Sequence, residues 1–375
     1  MSIGIYIHIP FCVSKCAYCD FYSLPEGCHR EELKERYVSA LIRQLKWAKK
    51  KYGKLTVSTV FIGGGTPTTL KTEQLVRLIA SLKSTFELTR NCEFTVEANP
   101  KTFDEEKLSA LKKCGVNRLS IGMQSANENE LKLLGRTHTF EDTKKTFDLT
   151  RKCGFDNVSV DLMYGIPSQT EQSFLRTLEE AIKLSPEHIS VYGLQLENGT
   201  PLVKNKDEYV FPDENECVSM YSKGIALLSE AGYKRYEISN FSKDGKECRH
   251  NLGYWSQGEY LGFGTGAYSY FDDKRFFCES NVELFCDSDS FDALITVDEV
   301  LSPDDKVTEF IMLSLRLTDG FSEKELFNRT RNAELYLKRF EQFIKNGFIK
   351  RKNGRIFFTE KGFNISNTIL SEILF

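Results

Sequence analysis

Before residue 200 the sequence repeats one pattern six times: a short run of β-branched and aromatic residues, then a longer stretch with helical periodicity. The runs are "GIYIHI" from Gly4, "VSTVFI" from Val57, "CEFTVEA" from Cys92, "NRLSIG" from Asn117, "NVSVDLM" from Asn157 and "HISVYGL" from His188. Each has the length and composition of a buried strand. Between them, "FDEEKLSALKKCG" opens on acidic residues and reaches Gly115 after a basic last turn, the polarity that a helix dipole favours. In "SQTEQSFLRTLEEAIKL", Ser168 and Glu171 have the spacing of a capping box. Strands alternating with helices predict a parallel sheet with helices packed outside it, and the unequal repeat lengths argue against a solenoid. Six units predict an incomplete (β/α)6 barrel. A closed eight-stranded barrel or an open doubly wound sheet fits the same pattern, and all of these put ligands at the carboxyl ends of the strands.

The pattern divides the chain into three. Residues 1–208 carry the α/β repeats. Residues 209–299 are irregular and rich in aromatics and glycine around "HNLGYWSQGEYLGFGTGAYSY", a density of glycine that predicts turns and close backbone approach in an α+β extension. Residues 300–375 open with Ser302 as N-cap, Pro303 at N1 and acidic Asp304 and Asp305. They close with a hairpin around Asn353-Gly354, as in a winged-helix-like domain.

Composition narrows the function classes. Of 375 residues, 27% are charged with a formal net charge of −3, a balance that points to neither a polyanion binder nor an acidic disordered tail. With no long apolar run and no signal-type N-terminus, the expected location is the cytoplasm, without a membrane span. Eleven cysteines, mostly scattered singly, do not resemble a secreted disulfide framework and read as reduced core residues.

Three of them do not scatter. "FCVSKCAYCDF" places Cys12, Cys16 and Cys19 within eight residues at the end of the first strand. Cubane iron-sulfur clusters take one thiolate per iron, so three cysteines would leave one iron open for chemistry, as catalytic zinc keeps an open position. A zinc site completed by His8, Asp20 or Cys28 fits the spacing as well. Further strand ends carry "FIGGGTPTTL", where Gly63 to Gly65 let backbone approach a ligand and offer it N–H groups. Glu97 stands in "VEANP", Gln124 in "IGMQS", Arg136 in "LGRTH" and Asp161 in "DLMYGIP". Each alone reads as a surface charge or structural hydrogen bonder; their shared position favours one cavity.

"YIHIPFCVSKCAYCDF" resembles the C-x3-C-x2-C signature of the radical S-adenosylmethionine (SAM) superfamily, and from Ile5 to about Phe363 the chain is similar to its coproporphyrinogen-oxidase-like branch. The resemblance implies a [4Fe-4S] cluster on Cys12, Cys16 and Cys19, with SAM on the fourth iron and cleaved there by electron transfer. It implies SAM contacts from Tyr6, Gly64, Gly65, Thr66, Glu97, Gln124, Arg136 and Asp161, and an electron donor such as a flavodoxin or ferredoxin. Carboxylates suit the ribose hydroxyls; arginine suits the SAM carboxylate or an acidic substrate group.

Two departures separate the chain from the oxidases of this branch. They carry a further cysteine two positions after the third, where Phe21 stands here, and an N-terminal extension ahead of the cluster. Conversely, "RHNLGYW" resembles the H-N-x-x-Y-W motif of HemW-like heme chaperones. That resemblance implies heme binding by His250, Asn251, Tyr254 and Trp255, with transfer to acceptor proteins of the respiratory type, and loose peripheral membrane association is compatible with such acceptors. Histidine is a natural axial ligand and the aromatics a flat wall; the plainer reading has His250 and Asn251 pairing with backbone and the aromatics filling core. Other readings are a porphyrin-modifying oxidase, a radical SAM methyltransferase, or nucleic-acid binding by the basic run "KNGFIKRKNGR". The last is disfavoured because exposed wings are often basic for solubility alone.

Overall fold

The computed structural model describes residues 2–27 and 31–374. All six expected strands form: β1 (Ser2–Ile9), β2 (Thr56–Gly64), β3 (Glu87–Ala98), β4 (Arg118–Gln124), β5 (Val158–Tyr164) and β6 (His188–Gly193). They lie parallel and side by side in chain order. In β1 the period-two placement of Ile3, Ile5, Ile7 and Ile9 buries all four, as strand geometry requires of alternate residues. Between the strands run α1 (Glu31–Tyr52), α2 (Thr72–Thr85), α3 (Glu105–Lys113), α4 (Phe140–Lys152) and α5 (Glu171–Leu184). Each turns one apolar stripe inward, for example Tyr37, Leu41 and Leu45 of α1.

Helix starts follow local chemistry. Asp104 caps α3 by accepting from the Lys107 amide at 2.9 Å. The capping box expected at Ser168 does not form: the N-cap of α5 is Thr170, two residues further on, which accepts from the Ser173 amide. Ser168 has a φ of +59° and spends its N–H on the Val210 carbonyl at 2.7 Å. A left-handed residue cannot serve as an N-cap, which needs extended backbone.

The segment after β6 does more than decorate this scaffold. It contributes α6 (Glu214–Glu230), β7 (Lys234–Arg235), β8 (Asn240–Ser242), α7 (Arg249–Trp255), β9 (Tyr260–Phe263), β10 (Tyr268–Phe271), β11 (Lys274–Cys278) and β12 (Ile295–Val300). Strand β9 pairs parallel to β1, Gly4 opposite Tyr260 and Ile7 opposite Phe263, so the parallel part has seven strands where the sequence pattern predicts six. β9 escaped that pattern because it is four residues long and contains Gly262, which reads as a turn. A Cβ on Gly262 would stand 2.1 Å from the Tyr268 carbonyl oxygen; the glycine admits β10.

One mixed sheet of twelve strands results, ordered β12-β11-β10-β9-β1-β2-β3-β4-β5-β6-β8-β7. Its outer strands do not meet, so the α/β barrel is incomplete. A second hydrophobic cluster, separate from the barrel core, gathers Val307, Phe310, Phe321, Phe340, Ile356 and Ile373. It is built from α8 (Pro303–Ser314), the short strand Phe321–Ser322, α9 (Ala333–Lys345), the hairpin β13 (Ile349–Lys352) and β14 (Arg355–Phe358), and the closing helix Ser366–Leu374. Ser302 and Asp305 cap α8 reciprocally, and Asn353 and Gly354 both take positive φ at the hairpin turn, as a two-residue type I′ connection requires.

Candidate functional site

At the carboxyl ends of the parallel strands opens a cavity of about 400 Å³. Cys12, Cys16, Cys19, Gly64, Gly65, Thr66, Glu97, Gln124, Arg136 and Asp161 all border it. Tyr6 stands on β1 with its hydroxyl 2.9 Å from His8 Nδ1 and its ring stacked on Phe61, and Phe61 forms part of the cavity wall.

The cysteine loop is fixed from several sides. The Ala17 amide donates to the Leu134 carbonyl at 2.9 Å, and Lys15 Nζ donates to the Phe21 carbonyl at 2.6 Å. Arg136 donates to Cys16 Sγ at 3.5 Å and to the Gly122 carbonyl at 2.8 Å, with a further bond to Asn99 Oδ1. The glycines after β2 are there for closeness. Gly64 has a φ of +105°, and a Cβ would lie 2.4 Å from the His8 ring; one on Gly65 would lie 2.8 Å from the Ile9 and Phe11 carbonyl oxygens and 3.1 Å from Cys12 Sγ. Of the amides expected to face a ligand, two are used inside the protein, Gly64 N–H donating to Glu97 Oε2 (3.0 Å) and Gly65 N–H to the Ile9 carbonyl (2.9 Å); the next amide, of Thr66, donates to the Phe11 carbonyl (2.8 Å). The segment therefore acts as a spacer that brings β2 against the first cysteine.

The cavity carries unusual charge for a barrel interior. Burial and the nearby Asp161 carboxylate push Glu97 up to about 8, which leaves it protonated at neutral pH. Burial also raises Asp161, opposed by hydroxyl bonds from Ser190 (2.7 Å) and Ser120 (3.1 Å). Arg118, 2% exposed, lines the same space.

Helix α7 carries the histidine motif and is clamped by Glu93 of β3, whose carboxylate accepts from the Arg249 and His250 amides at 3.0 Å each. Both His250 ring nitrogens are engaged, Nδ1 with Thr59 Oγ1 at 2.9 Å and Nε2 with Tyr254 Oη at 2.8 Å, and the ring stacks on Phe61. Burial pushes its pKa down to about 3, so it stays neutral. The partners are side chains, where the plainer sequence reading expects backbone. Asn251 borders the cavity, and Trp255 is half-buried.

The site suits a cluster better than zinc. Of the three residues offered as a fourth zinc ligand, His8 has both ring nitrogens occupied, by Tyr6 and the Tyr22 carbonyl. Asp20 is exposed, and Cys28 lies outside the described residues. Among the described residues no three His, Cys, Asp or Glu side chains converge closely enough to hold one metal ion. A cluster asks for one thiolate per iron, and three free thiols border one cavity. Burial pushes Cys19 up to about 11 and raises Cys12; the positive charge of bound iron is what would ionise them.

Sequence reasoning missed Asn99, which joins Thr66 (2.8 Å) to Arg136, and the inward row Arg118 and Ser120 of β4. Asn99 sits in the quoted "VEANP", two positions after Glu97, and β4 read as buried strand; period-two alternation from Gln124 points back to both Ser120 and Arg118.

Comparison with known proteins agrees with this geometry. The Radical SAM superfamily model matches residues 6–181, and the HemN C-terminal domain model matches residues 301–365. A protein named heme chaperone HemW from Buchnera aphidicola subsp. Acyrthosiphon pisum is 34% identical over 99% of this chain and 98% of its own length. The chain belongs to the HemW family of radical SAM proteins. A heme chaperone HemW from Bacillus subtilis is also 34% identical, over 98% of both chains, and that from Escherichia coli is 38% identical over 71% of this chain and 69% of its own. Among solved structures, coproporphyrinogen III oxidase (HemN) from Escherichia coli superimposes with a TM-score of 0.85 at 23% identity, covering 99% of this chain and 90% of that one, a likeness of fold. Superfamily membership implies a [4Fe-4S] cluster and SAM.

The spacer role of Gly64 is testable. Gly64→Ala forces a Cβ into the His8 ring and a left-handed alanine into β2. It should cost about 1–3 kcal/mol in backbone strain alone and weaken SAM binding at least tenfold in equilibrium dialysis; wild-type affinity with an unchanged melting temperature would refute the role.

Proposed function

We propose that this protein is a heme chaperone that binds heme, a [4Fe-4S] cluster and SAM and hands heme to acceptor proteins. The observation that carries the reading is full-length similarity to relatives named heme chaperone HemW, at 34% identity over 98% of their length. Phe21 supports it: where the oxidases of the branch have a cysteine, this ring stands 62% exposed and lines the cavity, as does Tyr192, 40% exposed. Exposed aromatics at a cavity mouth suit a flat macrocycle.

Cys12, Cys16 and Cys19 would hold the cluster, which when bound supplies an electron to SAM. Glu97, Asp161, Gln124 and Thr66 would orient SAM, with Gly64 and Gly65 allowing the approach; Tyr6 would contribute through Phe61, on which its ring stacks. Arg136 holds Cys16 and Gly122, so its first task is to position the cysteine loop. The motif residues His250, Asn251, Tyr254 and Trp255 belong to the heme proposal on different terms: an axial role for His250 requires exchanging Tyr254 or Thr59 for iron, whereas Asn251 already borders the cavity. A flavodoxin- or ferredoxin-type donor and respiratory-type acceptors complete the proposal, which places the chain in the cytoplasm. Among the described residues no helix is long and apolar enough to cross a membrane.

Glu97 gives the SAM site a pH signature. It faces Asp161, Arg118 and the Tyr6 hydroxyl. A cationic sulfonium favours its ionised form, so below pH 8 binding releases a proton. SAM affinity should rise with pH by up to about tenfold per unit between 6 and 8 and then level off. Glu97→Gln should flatten this rise; an identical rise in the variant would remove Glu97 from the account.

The chaperone reading is tested by anaerobic purification, heme loading and spectra before and after adding an apo-cytochrome. One heme taken up per chain and recovered unmodified on the acceptor is expected. Appearance of a chemically altered porphyrin would replace the reading with an oxidase or other porphyrin-modifying enzyme. In His250→Ala, an unchanged heme spectrum would exclude His250 as axial ligand while leaving handover intact.

A further inference from the structure

Two of the three cysteine sulfurs are joined to each other by one chain of hydrogen bonds. Thr66 Oγ1 lies 3.7 Å from Cys12 Sγ, and Asn99 Nδ2 lies 2.8 Å from Thr66 Oγ1. Arg136 Nη2 lies 2.5 Å from Asn99 Oδ1, and Arg136 Nη1 lies 3.5 Å from Cys16 Sγ. The chain has a single consistent direction. A guanidinium donates and never accepts, so Arg136 holds the Asn99 carbonyl and turns the Asn99 amide N–H toward Thr66. The Thr66 oxygen then accepts from Asn99, and its own proton is left to point at Cys12. Both sulfurs receive a donor, and Asn99, which touches neither, decides the one at Cys12.

The surroundings hold this arrangement in place. Thr66 is 2% exposed, and its N–H is fixed on the Phe11 carbonyl at 2.8 Å. Arg136 is anchored on the Gly122 carbonyl at 2.8 Å. Gly122 also makes room for the pair: a Cβ there would stand 2.6 Å from Asn99 Oδ1 and 2.9 Å from Arg136 Nη2. The third sulfur, of Cys19, takes the Phe21 amide, and the Ser23 hydroxyl also reaches Cys12. Hydrogen bonds are stronger in such a low-dielectric interior than in water, and hydrogen bonds to the sulfurs are among the factors that set a cluster's reduction potential.

We propose that Asn99 is a positioning residue for the cluster: by orienting Thr66 and Arg136 it directs an O–H to Cys12 and a guanidinium N–H to Cys16, and so holds the reduction potential above the value set by the thiolates alone. The proposal rests on the [4Fe-4S] reading of the three cysteines. Its physical basis is charge. One-electron reduction adds negative charge that the thiolates share, and a donor stabilises a charge-rich sulfur more than a charge-poor one. A raised potential lets a weaker reductant load the cluster and makes the electron leave toward SAM less readily.

The test is a mediated potentiometric titration followed by electron paramagnetic resonance, on full-length, anaerobically reconstituted protein without SAM, after iron and sulfide have been counted. Thr66→Val removes the O–H at nearly constant volume; Asn99→Leu removes the orienting amide and leaves both donors to sulfur in the chain. In each, the reduced-to-oxidised ratio at the wild-type midpoint should fall about tenfold, a midpoint about 59 mV more negative for a one-electron couple. Thr66→Ser keeps the hydroxyl and should titrate as wild type. Asn99→Leu retains Thr66 and every cluster cysteine, so it carries the test if Thr66→Val takes up no cluster. A wild-type midpoint in either cluster-loaded variant, or an equal shift in Thr66→Ser, overturns the proposal. Wild-type protein that holds no cluster overturns instead the reading of the three cysteines, so the two fail separately.

Discussion

The site depends on how closely the end of β2 can approach the end of β1. The Gly65 and Thr66 amides bond the Ile9 and Phe11 carbonyls, and no Cβ fits at Gly65 between those carbonyls and Cys12 Sγ. That contact sets the first cysteine at the mouth of the cavity, and Arg136, reaching from beyond β4, ties the second cysteine to the same place. The remaining strands bring carboxylates and hydroxyls to the cavity because parallel strands all end on the same side. β-sheet pairing thus performs the assembly, and the glycines make its tightest step sterically feasible.

A second constraint is charge held inside. Glu93, Glu97, Asp161 and Arg118 occupy a region that in a closed barrel would be filled with branched apolar side chains. Each carboxylate is stabilised by a different device: helix amides for Glu93, protonation for Glu97, serine hydroxyls for Asp161. Arg118 is met by the fields of Glu93 and Asp161, with no direct hydrogen bond among the described residues. The histidine motif belongs to this network as well, because Glu93 clamps α7 from inside the barrel and His250 rests on Phe61. The motif and the cofactor cavity are therefore mechanically joined, and heme binding near α7 would be felt at the cavity wall.

Much of this was legible in the sequence because strands and helices here are long and regularly patterned. The six runs become six strands, and Cys12, Cys16, Cys19, Glu97, Gln124, Arg136 and Asp161 border one cavity as their strand-end positions require. What escaped has local causes. β9 is short and its Gly262 serves packing, so it mimics a turn. The N-cap of α5 moved from Ser168 to Thr170 because the backbone at Ser168 is left-handed. The glycine amides pair with the protein's own carbonyls and Glu97, a matter of register that composition cannot express. The occupied ring of His250 depends on Thr59, 191 residues away, and no local pattern encodes such a pairing. Phe21 needed no geometry to be noticed, and the structure adds its exposure at the cavity.

The central claim is that three cysteines at the end of β1 hold a polynuclear iron cluster in this cavity. Iron and acid-labile sulfide counted on anaerobically reconstituted protein, alongside Mössbauer spectra, test it most directly. The account predicts about four irons and four sulfides per chain, lost together when Cys12, Cys16 and Cys19 are replaced by serine. A single tightly bound zinc in place of iron, or a cluster that survives those replacements, would contradict it.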